Sequence, residues 1–343
     1  LEDKAITEIM VNGPKKVYIE KDGKTVLSDI IFENEQHLSF IIQKILSPTR
    51  RHVDEMNPFA DVSLPDGSRV NIIIPPLSLI GSVVTIRKFI KEFGTVEDLV
   101  RNDTLSKKMA DFLIASIRAK LNIIFSGATG AGKTTTLNIL SSYISPEERI
   151  ITIEDTAELR LNQEHVVSLE TRPSNIEGKG EISIRDLFKN CLRMRPGRII
   201  LGEIRSGEAL DMLQAMCSGH NGSLAVLHAS SPQDAISRIE TMILTTGINI
   251  PMWAIKKQIA SSLNIIIQQE QLTDGSRKIT RITEVRGLGN DEVILQDLFS
   301  YEVEGMNKDG KINGSWKSHG VTPVFFNRFK KTGIELSEEI FKS

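Results

Sequence analysis

Between residues 127 and 134 a run of small residues closes on a lysine and a threonine: Gly127, Ala128, Thr129, Gly130, Ala131, Gly132, Lys133 and Thr134, with Thr135 following. The spacing G-x-x-x-x-G-K-T is the one that wraps a polyphosphate. Glycines let consecutive backbone N–H groups turn inward around an anion. A helix starting where the loop ends aims its positive end at the same point. Lys133 brings a full charge toward the β- and γ-phosphates, and the Thr134 hydroxyl can ligate Mg²⁺. The flanks supply the context the motif needs. Ile123 to Ser126 predicts a buried strand, and Thr135 to Tyr143 places Leu137, Ile139 and Leu140 on the buried side of a helix. The alternative is a glycine-rich turn that matches by chance, and strand, spacing and helix weigh against it. The expected cofactors are ATP and Mg²⁺.

Other groups with chemistry to do fall at the ends of predicted strands. Glu154, Asp155 and Glu158 follow a strand from Arg149 to Ile153. One of them could orient an attacking water, and Glu158 is the choice for that base. Helix capping by Asp155 is the plainer role for one of the three. Glu203 follows the strand Arg198 to Leu201, where a phosphate-loop protein holds a carboxylate for Mg²⁺ or its water shell. The residue before it is Gly202, not the common Asp. His220 and His228 bracket Gly222 and a strand from Ser223 to Leu227. His228, at the end of that strand, is expected to sense the γ-phosphate, and His220 has the weaker case. Arg69 and Arg87 stand at the two ends of the uncharged run Val70 to Ile86. Isolated arginines on strands are usually solvated, so the residues alone make a weak case for them as phosphate contacts.

The elements that must position these groups can be traced along the chain. Residues 1 to 92 read as a small α+β domain. It has a hairpin at Val17 to Leu27, a helix from Gln36 to Leu46, a second hairpin turning at Pro65-Asp66-Gly67-Ser68 and a last strand from Val83 to Phe89. A charged stretch, 93 to 103, reads as the linker, with Thr95 and Asp98 spaced as a capping box. From 104 to 343 strands alternate with helices, each strand ending in polar residues, the pattern of a parallel sheet with a site at its carboxyl edge. Leu105 to Leu121 reads as the helix before the phosphate-loop strand, and Ser183 with Asp186 caps another that reaches about Met194. From about Leu263 the pattern changes to short strands with Asp-Gly turns, a small carboxyl-terminal β/α appendage.

Composition narrows the function classes. Lysine plus arginine number 42 and aspartate plus glutamate 44, so a net charge of −2 gives no overall pull toward nucleic acid or anionic lipid. Cys191 and Cys217 are the only cysteines, too few for a four-cysteine zinc site and read as reduced packing residues. The longest uncharged run holds Pro75, Pro76 and Gly81 and is too short for a spanning helix, so no transmembrane segment is expected. As the first residue is not methionine, the chain is expected to be a piece of something longer.

Four boxes together carry a family resemblance: G-A-T-G-A-G-K-T, I-T-I-E-D-T-A-E-L, R-I-I-L-G-E-I-R and G-H-N-G-S-L-A-V-L-H-A. They resemble the type II/type IV secretion ATPase superfamily. The opening I-T-E-I-M-V-N-G-P, the L-P-D-G-S-R-V-N and the closing V-T-P-V-F-F-N-R-F-K-K-T-G-I-E-L are similar to the CpaF branch, which serves tight-adherence (Tad) pili. The resemblance covers nearly all of the chain. It implies an α/β protein with a PAS-like amino-terminal domain and a RecA-like P-loop ATPase domain. The assembly it implies is a homo-hexamer, cytoplasmic and docked peripherally on an inner-membrane platform protein of a pilus or secretion machine. It assigns Gly127 to Thr134 as Walker A, Glu158 as catalytic glutamate, Glu203 as Walker B and His228 to the histidine box, and it raises Arg69 and Arg87 to candidate γ-phosphate contacts. CpaF-like chains carry a further amino-terminal region that this sequence lacks. A conjugation-type secretion ATPase is the nearest alternative. A RecA-like nucleic-acid translocase and an inactive nucleotide-binding scaffold are more distant ones. The absence of a basic stripe with interleaved aromatics argues against the former, so nucleic acid is not an expected partner. The presence of Lys133, Thr134, Glu158 and Glu203 argues against the latter.

Overall fold

The computed structural model describes residues 3, 5–21, 23–49, 51–64, 66–88, 94–172, 174 and 179–342. The chain divides into two compact units, Leu1–Glu92 and Phe93–Ser343. In the first unit the elements are β1 (Ile6–Asn12), β2 (Val17–Lys21), β3 (Lys24–Leu27), α1 (Glu35–Leu46), β4 (Phe59–Ser63), β5 (Arg69–Ile73) and β6 (Val83–Arg87). The six strands form one sheet in the order β3-β2-β1-β6-β5-β4. Every pairing is antiparallel. Alternation decides which face is covered: Ala60 and Val62, Val70 and Ile72, and Val84 and Ile86 pack with Leu38, Ile42 and Leu46 of α1. Both expected hairpins and the helix form, and the uncharged run is strand, turn, strand. Phe89, the expected end of the last strand, lies outside the described residues.

The second unit opens with α2 (Val96–Arg101) and α3 (Lys107–Arg118). The chain continues through β7 (Ile123–Ser126), α4 (Lys133–Ser141), β8 (Ile150–Glu154), β9 (Val166–Glu170), α5 (Ile184–Cys191), β10 (Arg198–Leu201), α6 (Glu208–Cys217) and β11 (Leu224–Leu227). It closes with α7 (Pro232–Leu244), α8 (Met252–Ser262), β12 (Ile265–Gln271), β13 (Arg277–Gly289), β14 (Glu292–Met306), β15 (Ile312–Ser318) and α9 (Asn327–Lys331). The sheet order is β15-β14-β13-β12-β7-β11-β10-β8-β9. From β12 to β9 the pairings are parallel. Strands β7, β8, β10 and β11 are buried at every residue, as parallel strands covered on both faces must be. Alternate residues feed two cores: Ile123 and Phe125 face Leu113 and Leu140, while Ile124 faces Leu213 and Ile239.

Two boundaries differ from the sequence expectation. The expected linker 93 to 103, whose first residue lies outside the described ones, is not free from 94 on, because Thr95 and Asp98 form a reciprocal capping box and α2 buries Val96 and Leu99 in the core beside α3. Nor does the chain leave the main sheet at Leu263. β12 lies parallel to the phosphate-loop strand β7, and only β13 to β15 extend the sheet as an antiparallel flank. Those flanking strands are long, with 13 residues in β13 and 15 in β14.

The amino edge of the parallel strands is held by one ion pair. Arg198 opens β10 with a fully buried side chain and donates to both carboxylate oxygens of Glu148, at 3.2 and 3.0 Å. It also donates to the carbonyls of Gly222, at 3.1 Å, and Ile117, at 2.9 Å. Gly222, in the left-handed region at φ +82°, has no room for a side chain, since a Cβ would lie 2.1 Å from Arg198 Nη1. Burial pushes the Glu148 carboxyl up, but Arg198 and Lys120 outweigh it and hold it below the ordinary range. The stabilisation it contributes is therefore present above its ordinary value near 4.5 and lost as pH falls through the lower, folded value. Removing one partner of a buried pair strands the other charge, so Glu148→Gln is expected to cost about 3 kcal/mol at neutral pH. Urea unfolding of the two proteins measures this, and equal midpoints would show that the pair does not hold the edge.

Candidate nucleotide site

Register brings the chemistry to one edge. Ser126, the last residue of β7, lies beside Leu227 of β11 and Gln268 of β12. Leu201 of β10 lies beside Ala225 and Ile153. The phosphate loop, His228, Glu203 and the Glu154–Glu158 segment therefore all leave the carboxyl ends of adjacent parallel strands, where open α/β sheets bind ligands.

The loop has the geometry of a phosphate cradle. Gly130 and Gly132 have φ of +80° and +94°, and Gly132 caps α4 with no side-chain acceptor. The first N–H groups of α4 are thus not capped by a side chain. Gly127 is required by contact, since a Cβ there would lie 2.0 Å from the Gln269 carbonyl oxygen. Lys133 is buried, and its Nζ donates to the carbonyls of Gly127 at 2.9 Å and Ala128 at 2.7 Å. Thr134 and Thr135 are half-buried in the first turn, and the buried Thr136 hydroxyl donates to Gln269 Oε1 at 2.9 Å.

His228 links the lysine to the acids. Its Nδ1 is 3.4 Å from Lys133 Nζ and 3.5 Å from Thr129 Oγ1, and its Nε2 is 3.3 Å from Glu203 Oε1. An ammonium has only protons to offer, so Nδ1 accepts and the proton sits on Nε2, facing Glu203. Burial, then the Lys133 charge, lowers the ring's pKa. Glu203 opposes that shift, while Arg205 and Arg238 add to it. The other Glu203 oxygen accepts from Arg205 Nη2 at 2.8 Å, and Arg205 Nη1 reaches Asp155 Oδ2 at 2.9 Å. Arg205 thus ties the two acidic boxes together. The sequence held it in plain view two residues after Glu203, but nothing in one dimension paired it with Asp155.

The acids divide by role. Glu154, almost fully buried, accepts from the backbone N–H groups of Glu158 at 2.9 Å and Leu159 at 3.1 Å, and so shapes the segment that carries Glu158. A Cβ at Gly202 would lie 2.7 Å from Glu154 Cγ, which explains why no aspartate stands there. Asp155 caps no helix, because the chain runs from β8 to β9 without one; it serves Arg205 instead. Glu158 is half-buried. His220 precedes β11 while His228 follows it, so His220 lies at the opposite edge and is not brought to the site. Arg69 and Arg87, both in the first unit, are direct cross-strand partners on β5 and β6, and Glu8 of β1 faces Arg87 from the other side.

Among the described residues no group of three or more His, Cys, Asp or Glu side chains is arranged to hold a metal. Mg²⁺ asks for less, being held by one or two protein oxygens together with phosphates and water. The Thr134 hydroxyl and the Glu203 carboxylate fit that demand.

The family model described as "Type II/IV secretion system protein" matches residues 1–303. A putative conjugal transfer protein of Mycobacterium tuberculosis is 29% identical over 314 residues, covering 85% of this chain and 89% of its own. The type IV secretion system protein PtlH of Bordetella pertussis is 33% identical over 293 residues, covering 78% and 86%. Among solved structures, the pilus retraction motor PilT with bound ADP superposes with a TM-score of 0.56 at 20% identity, covering 80% of this chain and 78% of that one. That likeness speaks to the fold: an α+β amino-terminal domain, PAS-like, followed by a RecA-like ATPase domain.

The Lys133–His228 contact has a measurable signature. In the parent the His228 ring is expected to titrate below its ordinary value of 6.5, staying neutral at pH 7. Lys133→Ala removes a cation and leaves Glu203, so the midpoint rises. An NMR titration of the ring protons reads it, and an unmoved midpoint would mean that the two groups do not face one another.

Proposed function

We propose, from the premise that this chain belongs to the type II/IV secretion system protein family, that it is the motor ATPase of a Tad-like pilus of the CpaF branch. Membership makes it an ATP hydrolase. The observation that supports the ATPase part of the reading is the joining of phosphate loop, His228, Glu203, Arg205 and Asp155 in one chain of polar contacts at the sheet's carboxyl edge, while the pilus branch rests on the sequence likeness of the opening and closing segments. In this reading the loop from Gly127 to Thr135 holds the phosphates, and Lys133 stabilises the transferring phosphoryl group. Thr134 and Glu203 hold Mg²⁺ and its water shell, and Glu158 is the base for the attacking water. His228 reads the γ-phosphate from the far side of Lys133.

The working unit in this proposal is a homo-hexamer docked from the cytoplasm on an inner-membrane platform protein. Among the described residues no helix is long and apolar enough to cross a membrane. A conjugation-type secretion motor is the second reading, favoured by the names of the relatives. Affinity capture from native membranes separates the two. A pilus platform protein supports the first, and a conjugation or secretion channel alone overturns it.

Two predictions test the chemistry. Lys133→Ala is expected to lower ATP turnover about 100-fold or more, the usual effect of deleting one transition-state charge donor. Glu158→Gln should bind ATP and turn over slowly, whereas Glu203→Gln should shift the Mg²⁺ dependence. Identical Mg²⁺ titrations for the two variants would refute this division of labour.

A further prediction concerns Arg69 and Arg87. They are direct cross-strand partners on β5 and β6. On the family resemblance alone we propose them as γ-phosphate contacts, a role that arginine suits because it stays charged and can grip two phosphate oxygens at once. Each alanine variant is expected to bind nucleotide near-normally and to lose about tenfold or more in turnover, as a phosphate-contacting arginine does. Steady-state assays decide, and parental rates in both variants would leave the pair without this role.

A further inference from the structure

The phosphate loop is braced by a strand that none of the motifs includes. β12 outruns β7: Gln268 pairs with Ser126, and Gln269 to Gln271 continue alongside the loop. Each loop glycine meets this wall. A Cβ on Gly127 would strike the Gln269 carbonyl, one on Gly132 would come within 2.9 Å of Gln269 Nε2 and 3.2 Å of Arg277 Cδ, and one on Gly130 would sit 3.6 Å from Gln271 Oε1. Arg277 opens β13 as the cross-strand partner of Gln271, and its Nε donates to the Gly130 carbonyl at 3.0 Å.

That bond constrains the peptide between Gly130 and Ala131. In a planar trans peptide C=O and N–H point to opposite sides. With the Gly130 carbonyl held on Arg277, the Ala131 N–H turns back into the loop, where its acceptor is the Ala128 carbonyl at a long 3.4 Å. An arriving phosphate oxygen offers that N–H a stronger, charged acceptor.

Arg277 itself is not free to drift. Its neighbour Lys278 points to the other face of the strand, is buried, and donates to the Asp103 carbonyl at 2.5 Å and carboxylate at 2.6 Å. The same ammonium lies over the rings of Tyr301 and Trp316, 5.6 and 5.5 Å from their centres. In the preceding turn the Asp274 carboxylate accepts from the Ser276 N–H and hydroxyl and from the Ile312 N–H.

We propose that Arg277 is a positioning residue for nucleotide binding, holding the Gly130–Ala131 peptide in the orientation that receives phosphate and adding a cation beside the loop. The proposal rests on the nucleotide-site reading above. The test is calorimetric titration of ADP with Mg²⁺ into the parent, Arg277→Gln and Arg277→Lys, with thermal midpoints taken without nucleotide. Binding by the parent establishes the site; its absence there would remove that reading and the proposal with it. Given binding, Arg277→Gln is expected to raise the ADP dissociation constant about tenfold, the change that 1.4 kcal/mol produces. The nucleotide-free midpoint should stay where it was, and Arg277→Lys should recover part of the loss. An affinity within about twofold of the parent overturns the proposal. So does a lowered nucleotide-free midpoint with no recovery in the lysine variant, since Arg277 would then serve the fold alone.

Discussion

A buried ammonium must be solvated by the protein that buries it, and much of the second unit is arranged to solvate that of Lys133. Taking a charge out of water without partners is prohibitive. Two carbonyls of its own loop accept from it, and a neutral imidazole stands beside it. None of these three partners carries a negative charge. A phosphate arriving in the loop meets a cation already stripped of water and already in place, the condition under which electrostatic stabilisation is strongest. The glycines, the strand ends and the wall of β12 all follow from the need to bring two carbonyls and a helix start around one Nζ.

Two of the acids have a cation of their own. Glu203 and Asp155 share Arg205, and His228 presents its N–H to Glu203 and its lone pair to Lys133. The imidazole is the element through which the two charge systems touch. Its proton position is set by the lysine on one side and the carboxylate on the other. Moving negative charge into the loop changes the balance on both nitrogens together, whereas an exposed histidine would respond to bulk pH alone.

Most of the fold was legible because its signals are local. The capping boxes at Thr95 and Ser183, the Asp-Gly turns and the apolar strand cores each fix their own neighbourhood, and each formed where the residues put it. The phosphate loop was legible for the same reason. Long-range facts were not. Nothing in the order of residues says that β12, some 140 positions on, lies beside β7, so Gln269 and Arg277 carry no sequence signal although both touch the loop. Arg69 and Arg87 stood at opposite ends of an uncharged run, and only the antiparallel pairing of β5 and β6 makes them neighbours. The α7 helix is local in its signals too: Ser231 caps it, Pro232 stands at its first position, and Ala235, Ile236, Ile239, Met242 and Ile243 recur at helical spacing, with Ser237 and Arg238 on the exposed face.

The two edges of the parallel sheet meet opposite demands, and the histidine box shows the division within one stretch of sequence. Gly222 sits at the amino edge with the Arg198 guanidinium against its Cα, where an ion pair fixes the start of β10 and β11. Six residues later His228 sits at the carboxyl edge in a network of hydrogen bonds of 3.3 to 3.5 Å, longer than those of the Arg198 pair. A four-residue strand, buried throughout, joins them. Rigid packing transmits position, so clamping one end of β11 fixes where His228 begins its turn while leaving its side chain free to exchange partners. The glycine of that box therefore belongs to the fold and the histidine to the chemistry. A motif that looks like a single signature is two solutions to two problems, held at a fixed spacing by the strand between them.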